Sequence, residues 1–283
     1  MDQELAKRDT SLKQIAEKLR ELCGNVLSDT HDLAMQRPVG KTKFLRVLES
    51  TYRRAYGTLD AVCYLSGVPD FGLGNPSMIL TRSIVEDVVS IEYMLATDKE
   101  KMADKFQNFA YMQGHEDNKF LADISEAKQP IIQASIQDIE ENYKKVKKNY
   151  IRADGQKQRN WAGLDVEGML REIDKIKPEN FGKADFSSMS RSYVTGNRKT
   201  HFNPIDLVIY LDQRLLKASY AESAVSALAV GLSSYIRLTT RYIDEISHCA
   251  GKNLYRDEAA KVIKALKEMD EMDIYKPDLE GGK

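Results

Sequence analysis

Apolar side chains recur along this chain at the helical period, and the repeat is clearest near its start. Leu5, Leu12, Leu19, Val26 and Leu33 stand seven residues apart, with Ile15 and Leu22 in the second seam position. Such a stripe suits a long helix laid against a partner helix. Gly24 and Asn25 fall inside it, so one helix or two remains open. A second helix is predicted over 42–66, where Phe44, Leu48, Tyr52, Ala55, Leu59 and Val62 share a face. Residues 67–76 then hold three glycines and two prolines, the clearest loop signal in the chain. Further helices are expected over 77–96, from an N-cap at Asp98 to about 127, and over 130–150. Residues 151–164 read as an exposed loop ending at Trp161, with short helices at 165–176 and 185–195. Asn203 and Pro204 form an N-cap and first-turn pair for a helix ending near Arg214. Long helices over 216–250 and 255–269 complete the pattern, and no segment alternates as a strand does.

The predicted fold is therefore all-α, a bundle of long antiparallel helices with shorter ones in the middle. The expected organisation is an N-terminal helix (1–36), a helical core (42–270) and a flexible tail (271–283). The stripe of the first helix packs inside the monomer or forms a homodimer seam.

Composition agrees with this pattern. The 283 residues include only 16 glycines and 7 prolines, too few for the turns of a sandwich or barrel, while 30% are charged. Lys and Arg number 42 against 43 Asp and Glu, so no global field singles out nucleic acid or an anionic membrane. The longest uncharged stretch, Ser223–Ile236, is 14 residues long, short of the ~20 that a membrane span needs. The first 22 residues carry ten charges and no apolar block, so no signal peptide is expected and the location is read as cytoplasmic. Cys23, Cys63 and Cys249 are far apart and flanked by apolar residues, which predicts buried free thiols.

Several motifs carry chemistry on paper. Gly40-Lys41-Thr42 lacks the rest of a phosphate loop and reads as a helix opening. Glu245-x-x-His248 has di-iron spacing but no second copy, and the four histidines are dispersed, so no metal or cofactor is inferred. Arg82 and Glu86 put a cation and an anion on one face of the most apolar helix, as a structural tie or part of a polar site. From Tyr143 to Trp161 seven basic residues face one Asp, a charge of +6 interleaved with Tyr143, Tyr150 and Trp161. That mixture suits a nucleic-acid backbone with stacked bases, Lys147, Lys148, Arg152 and Trp161 being the binding candidates; a solvated helix end is the plainer reading. The densest polar run spans Ser190–Pro204. There Arg191, Arg198 and His201 are catalytic candidates and Tyr193 and Asn203 binding candidates, since imidazole titrates where proton transfer needs it.

Arg82 and Glu86, then Phe106, Phe109 and Tyr111, then Trp161, then Tyr193 and His201 form a succession over roughly 44–215. It resembles a set of all-helical bacterial and archaeal proteins of unknown function. The late Tyr193…His201 turn also resembles, at a distance, the HEPN superfamily of helical nucleases and nucleotide-binding proteins. That resemblance implies metal-free RNA cleavage by an Arg and a His near a dimer interface. Arg198 lies closer to His201, and Arg191 farther from it, than in that family. The function expected is that of a helical binding or interaction protein, in a stress or phage-defence setting. A metal-independent ribonuclease and a self-assembly module are the alternatives, and RNA or a nucleotide is the expected ligand.

Overall fold

The computed structural model describes residues 2–36, 41–67, 74–121, 130–177, 189–190, 193–194, 213–272 and 274. Side chains set many of its helix ends. A short α2 (His31–Met35) follows α1 (Asp2–Asp29), which runs unbroken through Gly24 and Asn25. Thr42 caps α3 (Lys43–Ser66) by accepting from the Leu45 amide at 3.1 Å. The same helix start is capped from outside, because the Glu100 carboxylate accepts from the Lys43 and Phe44 amides at 3.1 and 3.3 Å. α4 (Gly74–Ala96) opens earlier than its pattern predicts. α5 (Lys99–Leu121) starts at the predicted cap, Asp98 accepting from the Lys101 amide at 3.2 Å. α6 (Pro130–Val146) passes into a 3₁₀ turn at Lys147–Tyr150. Asp165 caps α7 (Val166–Ile176), its Oδ1 2.7 Å from the Gly168 amide. α8 (Gln213–Ala250) and α9 (Arg256–Glu271) follow. Among the described residues the only non-helical pairing is a small turn in which Ile151 bridges Lys157. The predicted helix at 203–214 lies outside the described residues up to its last two, which open α8. Of the one at 185–195, only 189–190 and 193–194 are described, and these are helical.

Helix directions follow from which residues meet. Ser66 reaches Ser77 and Arg54 reaches Asp87, so α3 and α4 are antiparallel. α8 instead runs parallel to α4: Thr81 donates to the Ala227 carbonyl at 3.1 Å, Glu92 meets Arg237, and Lys99 just beyond α4 meets Glu245. It is parallel to α1 as well, through Arg8–Glu222, Thr30–Tyr235 and, past α2, Gln36–Tyr242. A parallel neighbour requires the chain to return the length of the bundle between α4 and α8.

α8 lies at the centre against α4, α3 and α1. Gly231 permits the close approach, since a Cβ there would stand 3.3 Å from Leu59 Cδ1 and 3.5 Å from Thr81 Oγ1. Leu19, Leu22, Val26 and Leu33 are buried and Leu12 and Ile15 partly so, covered within this chain. Tyr52 stacks between Tyr235 and Tyr242 at 5.5 and 4.6 Å between ring centroids. The hydroxyls are satisfied in sequence, Tyr235 donating to Tyr52 at 2.8 Å and pairing with Thr30 at 2.8 Å. Gln36 continues the network by donating to Tyr242 and accepting from Tyr255.

Candidate functional site

α4 carries charged groups on several faces, each tied to a different neighbour. Arg82 Nε and Nη2 both donate to Glu86 Oε1, at 3.0 and 2.8 Å. The Arg82 guanidinium lies 5.1 Å from the centroid of the Tyr193 ring. Three of the residues singled out in the sequence therefore meet: a half-buried ion pair on α4 with an aromatic ring over its cation. The side chains of Arg82 and Glu86 keep 27% and 38% of their surface open, so the pair is a clip at the edge of the core. Arg191, Arg198, His201 and Asn203 lie outside the described residues.

Two other α4 carboxylates went unread in the sequence. Glu92, only 1% exposed, accepts from Arg237 Nε at 2.8 Å and from Arg241 Nε and Nη2 at 2.9 and 3.3 Å. Asp87 is paired with Arg54 of α3 through both carboxylate oxygens. Burial pushes the Asp87 carboxyl up to about 6 despite the Arg54 guanidinium, which acts the other way. The available signal was a carboxylate within an apolar helical run, which demands a cation on whatever packs there.

The basic segment is where charge and exposure coincide. Lys144, Lys145, Lys147, Lys148, Arg152, Lys157 and Arg159 are all exposed. They sit on the end of α6, the 3₁₀ turn and a tight turn built by Arg152 N–H to Gln156 O and Gln158 N–H to Tyr150 O, both 2.8 Å. Gly155 takes φ +78° at its tip, a conformation glycine adopts without strain. Lys157 fastens the turn to α5 by donating to the Met112 carbonyl at 3.2 Å and pairing with Glu116 at 3.3 Å. That bond holds the Glu116 carboxyl below the usual range.

The aromatics of this segment are placed differently from the expectation of base stacking. Trp161 is buried rather than exposed in its loop, packed on Phe106 and Tyr93 with centroids 5.4 and 6.0 Å away. Tyr150 is buried too, its hydroxyl donating to the Lys105 carbonyl at 2.5 Å. Both rings serve the core because α5 and α4 offer them apolar surface, Phe106 and Tyr93 to Trp161 and Phe109 to Tyr150. Tyr143 is half-buried, and the His115 ring lies stacked on it.

Among the described residues no group of three or more His, Cys, Asp and Glu is arranged to hold a metal. Glu245 takes Lys99 at 2.5 Å, and His248 is exposed. Among the described residues no helix is long and apolar enough to cross a membrane. The thiols depart from the prediction. Cys23 is buried, but Cys63 is half-buried, its Sγ 3.5 Å from the Arg20 carbonyl, and Cys249 is exposed where α8 runs out of partners.

Residues 45–215 match the profile of a family described as a family of unknown function (DUF5677). No curated protein and no solved structure matches the chain. The matched span takes in nearly all of α3, then α4 to α7, Tyr193 and the whole basic segment, and coincides with that of the resemblance read from the sequence.

Proposed function

The chain belongs to DUF5677, a family of unknown function, and from its exposed basic unit we propose that it is a cytoplasmic RNA-binding protein. One observation carries the reading: all seven basic side chains between Lys144 and Arg159 are exposed on one short structural unit. The whole chain has a net charge of −1, so this unit is a local concentration of positive charge and not a share of a basic surface. With Tyr150 and Trp161 in the core, recognition goes through the phosphate backbone and not through stacked bases. Backbone recognition is sequence-tolerant and salt-dependent. The stress or phage-defence setting expected for a helical binding protein fits a ligand of this kind.

Fluorescence anisotropy with labelled single-stranded RNA, duplex RNA and DNA tests the proposal and separates the ligands. The expected affinity is in the range ~10⁻⁴–10⁻⁶ M at physiological salt, with log K falling against log salt at about −0.7 per phosphate contact for single strands. Lys147→Ala, Lys148→Ala and Arg152→Ala should each lower that slope by roughly one contact without changing Tm. Absence of RNA binding at low salt, or binding indifferent to the triple variant, overturns the reading. The same RNA incubated in EDTA adds a second measurement. Cleavage removed by His201→Ala would extend the proposal to the metal-independent ribonuclease suggested by Arg191, Arg198 and His201.

A further inference from the structure

Beside the basic unit, α5 and α6 bring together a histidine, a glutamate and a tyrosine that no sequence motif joins. His115 Nδ1 lies 2.7 and 2.9 Å from the two oxygens of Glu140. An ionised carboxylate only accepts, so Nδ1 carries the proton that joins them. The imidazole lies flat on the Tyr143 ring, with centroids 3.7 Å apart and planes 9° from parallel. Asn118 donates to the same Glu140 carboxylate at 3.3 Å, which fixes the carboxylate in turn. Gly114 lets the two helices close on each other, for a Cβ there would stand 3.1 Å from Ile139. The ring is thus held by an anion at one nitrogen and an aromatic face, and 17% of its side chain remains open. Among the described residues Nε2 has no hydrogen-bond partner.

We propose that His115 is a phosphate-contacting residue of the basic surface, Nε2 being the contact atom and Glu140 and Tyr143 its positioning residues. The inference rests on the RNA-binding reading and adds a named subsite to it. Lys147 Nζ lies 5.8 Å from the centroid of the Tyr143 ring on which His115 stacks. Lys144 follows Glu140 by one helical turn and draws that carboxyl downward, a smaller effect than the hydrogen bond from His115. On α5, Glu116 is engaged by Lys157 at 3.3 Å and Lys119 at 3.7 Å. Both carboxylates near the ring are therefore held by cations or hydrogen-bond donors. A nucleic-acid backbone lying along the basic end of α6 would bring a phosphodiester oxygen to Nε2, the lysines holding neighbouring phosphates. With Nδ1–H committed to Glu140, a second proton on the ring goes to Nε2 and turns it from acceptor to donor. Phosphate binding at this atom consequently takes up a proton, which binding by lysines alone does not.

The test uses the full chain and a fluorescein-labelled single-stranded oligoribonucleotide at constant salt. Wild type should bind more tightly at pH 6 than at pH 8, on the order of tenfold. His115→Gln should remove most of that difference. The His115 Cε1–H resonance should move when RNA is added at pH 6, a readout that stands even if His115→Gln fails to fold. Glu140→Gln should weaken the pH 6 complex and return the His115 resonance toward that of a free ring. An unchanged pH dependence in His115→Gln, or a His115 resonance that ignores saturating RNA, overturns the inference and leaves RNA binding intact. No RNA binding by the wild type removes both.

Discussion

Asp87 shows what a single buried carboxylate does to this molecule. Its side chain is 6% exposed, and burial raises its carboxyl to about 6 from an unfolded value of 3.8, with Arg54 partly offsetting the rise. A carboxyl raised on folding binds its proton more tightly in the folded chain. Its contribution therefore grows as pH falls through 6 and levels off below 3.8. At pH 5 the gain over pH 7.5 is about 1 kcal/mol. Glu116 and Glu140, both lowered, push the opposite way, so the effect is isolated by comparison with a variant. Chemical denaturation at pH 7.5 and pH 5 should give Asp87→Asn a stability profile lacking this rise. Parallel profiles for wild type and variant would show that Asp87 is ionised throughout. Glu86, on the same helix but 38% exposed, belongs to the weaker class of ion pair, worth ~1 kcal/mol or less.

Glycines divide the long helices into two cases. Gly231 stands where α8 crosses Leu59 and Thr81, whereas a Cβ at Gly24 would have nothing within 4 Å. Gly24→Ala should stabilise the fold by up to ~1 kcal/mol through helix propensity alone. Gly231→Val should destabilise it by roughly 1–3 kcal/mol, since the packed faces of α3 and α4 cannot yield to a branched side chain. Urea midpoints for the two variants moving in the same direction would sink this contrast. Helix ends and lengths were legible in the sequence wherever the signal is local. Thr42, Asp98 and the apolar faces of α3 and α4 state their roles within four residues. Gly24 and Asn25 were ambiguous because the burial of Leu19, Cys23, Val26 and Leu27 outweighs one weak helix former. The partnership of His115 with Glu140 was not legible. It spans 25 residues and two helices, and only their pairing brings the ring to the carboxylate. Trp161 and Tyr150 misled for a related reason: an aromatic next to lysines reads as surface until the apolar wall behind it is known.

At the scale of the molecule, the apolar stripe of α1 packs within the chain from Leu12 to Leu27. Leu19 is fully buried and belongs to the common core of α1, α3 and α8. Leu19→Ala should cost about 2–5 kcal/mol by the cavity it leaves, and its Tm should not vary with protein concentration. A Tm that climbs with concentration for both chains would point instead to a seam between subunits. The parallel course of α8 with α1 and α4 has an electrical consequence. Three of the four central helices point their carbonyl ends the same way, and only α3 opposes them. Peptide dipoles that cancel pairwise in an alternating bundle add here, so α1, α4 and α8 share a negative end where α4 ends. Cations gather at that end. Lys177 donates to the Leu95 carbonyl at 3.2 Å, Lys99 stands just past Ala96, and Lys261 meets Asp29 at the end of α1 at 2.8 Å. These lysines act as counter-charge for the backbone as much as partners for carboxylates. A near-zero formal charge thus conceals an ordered alignment of backbone charge along α1, α4 and α8.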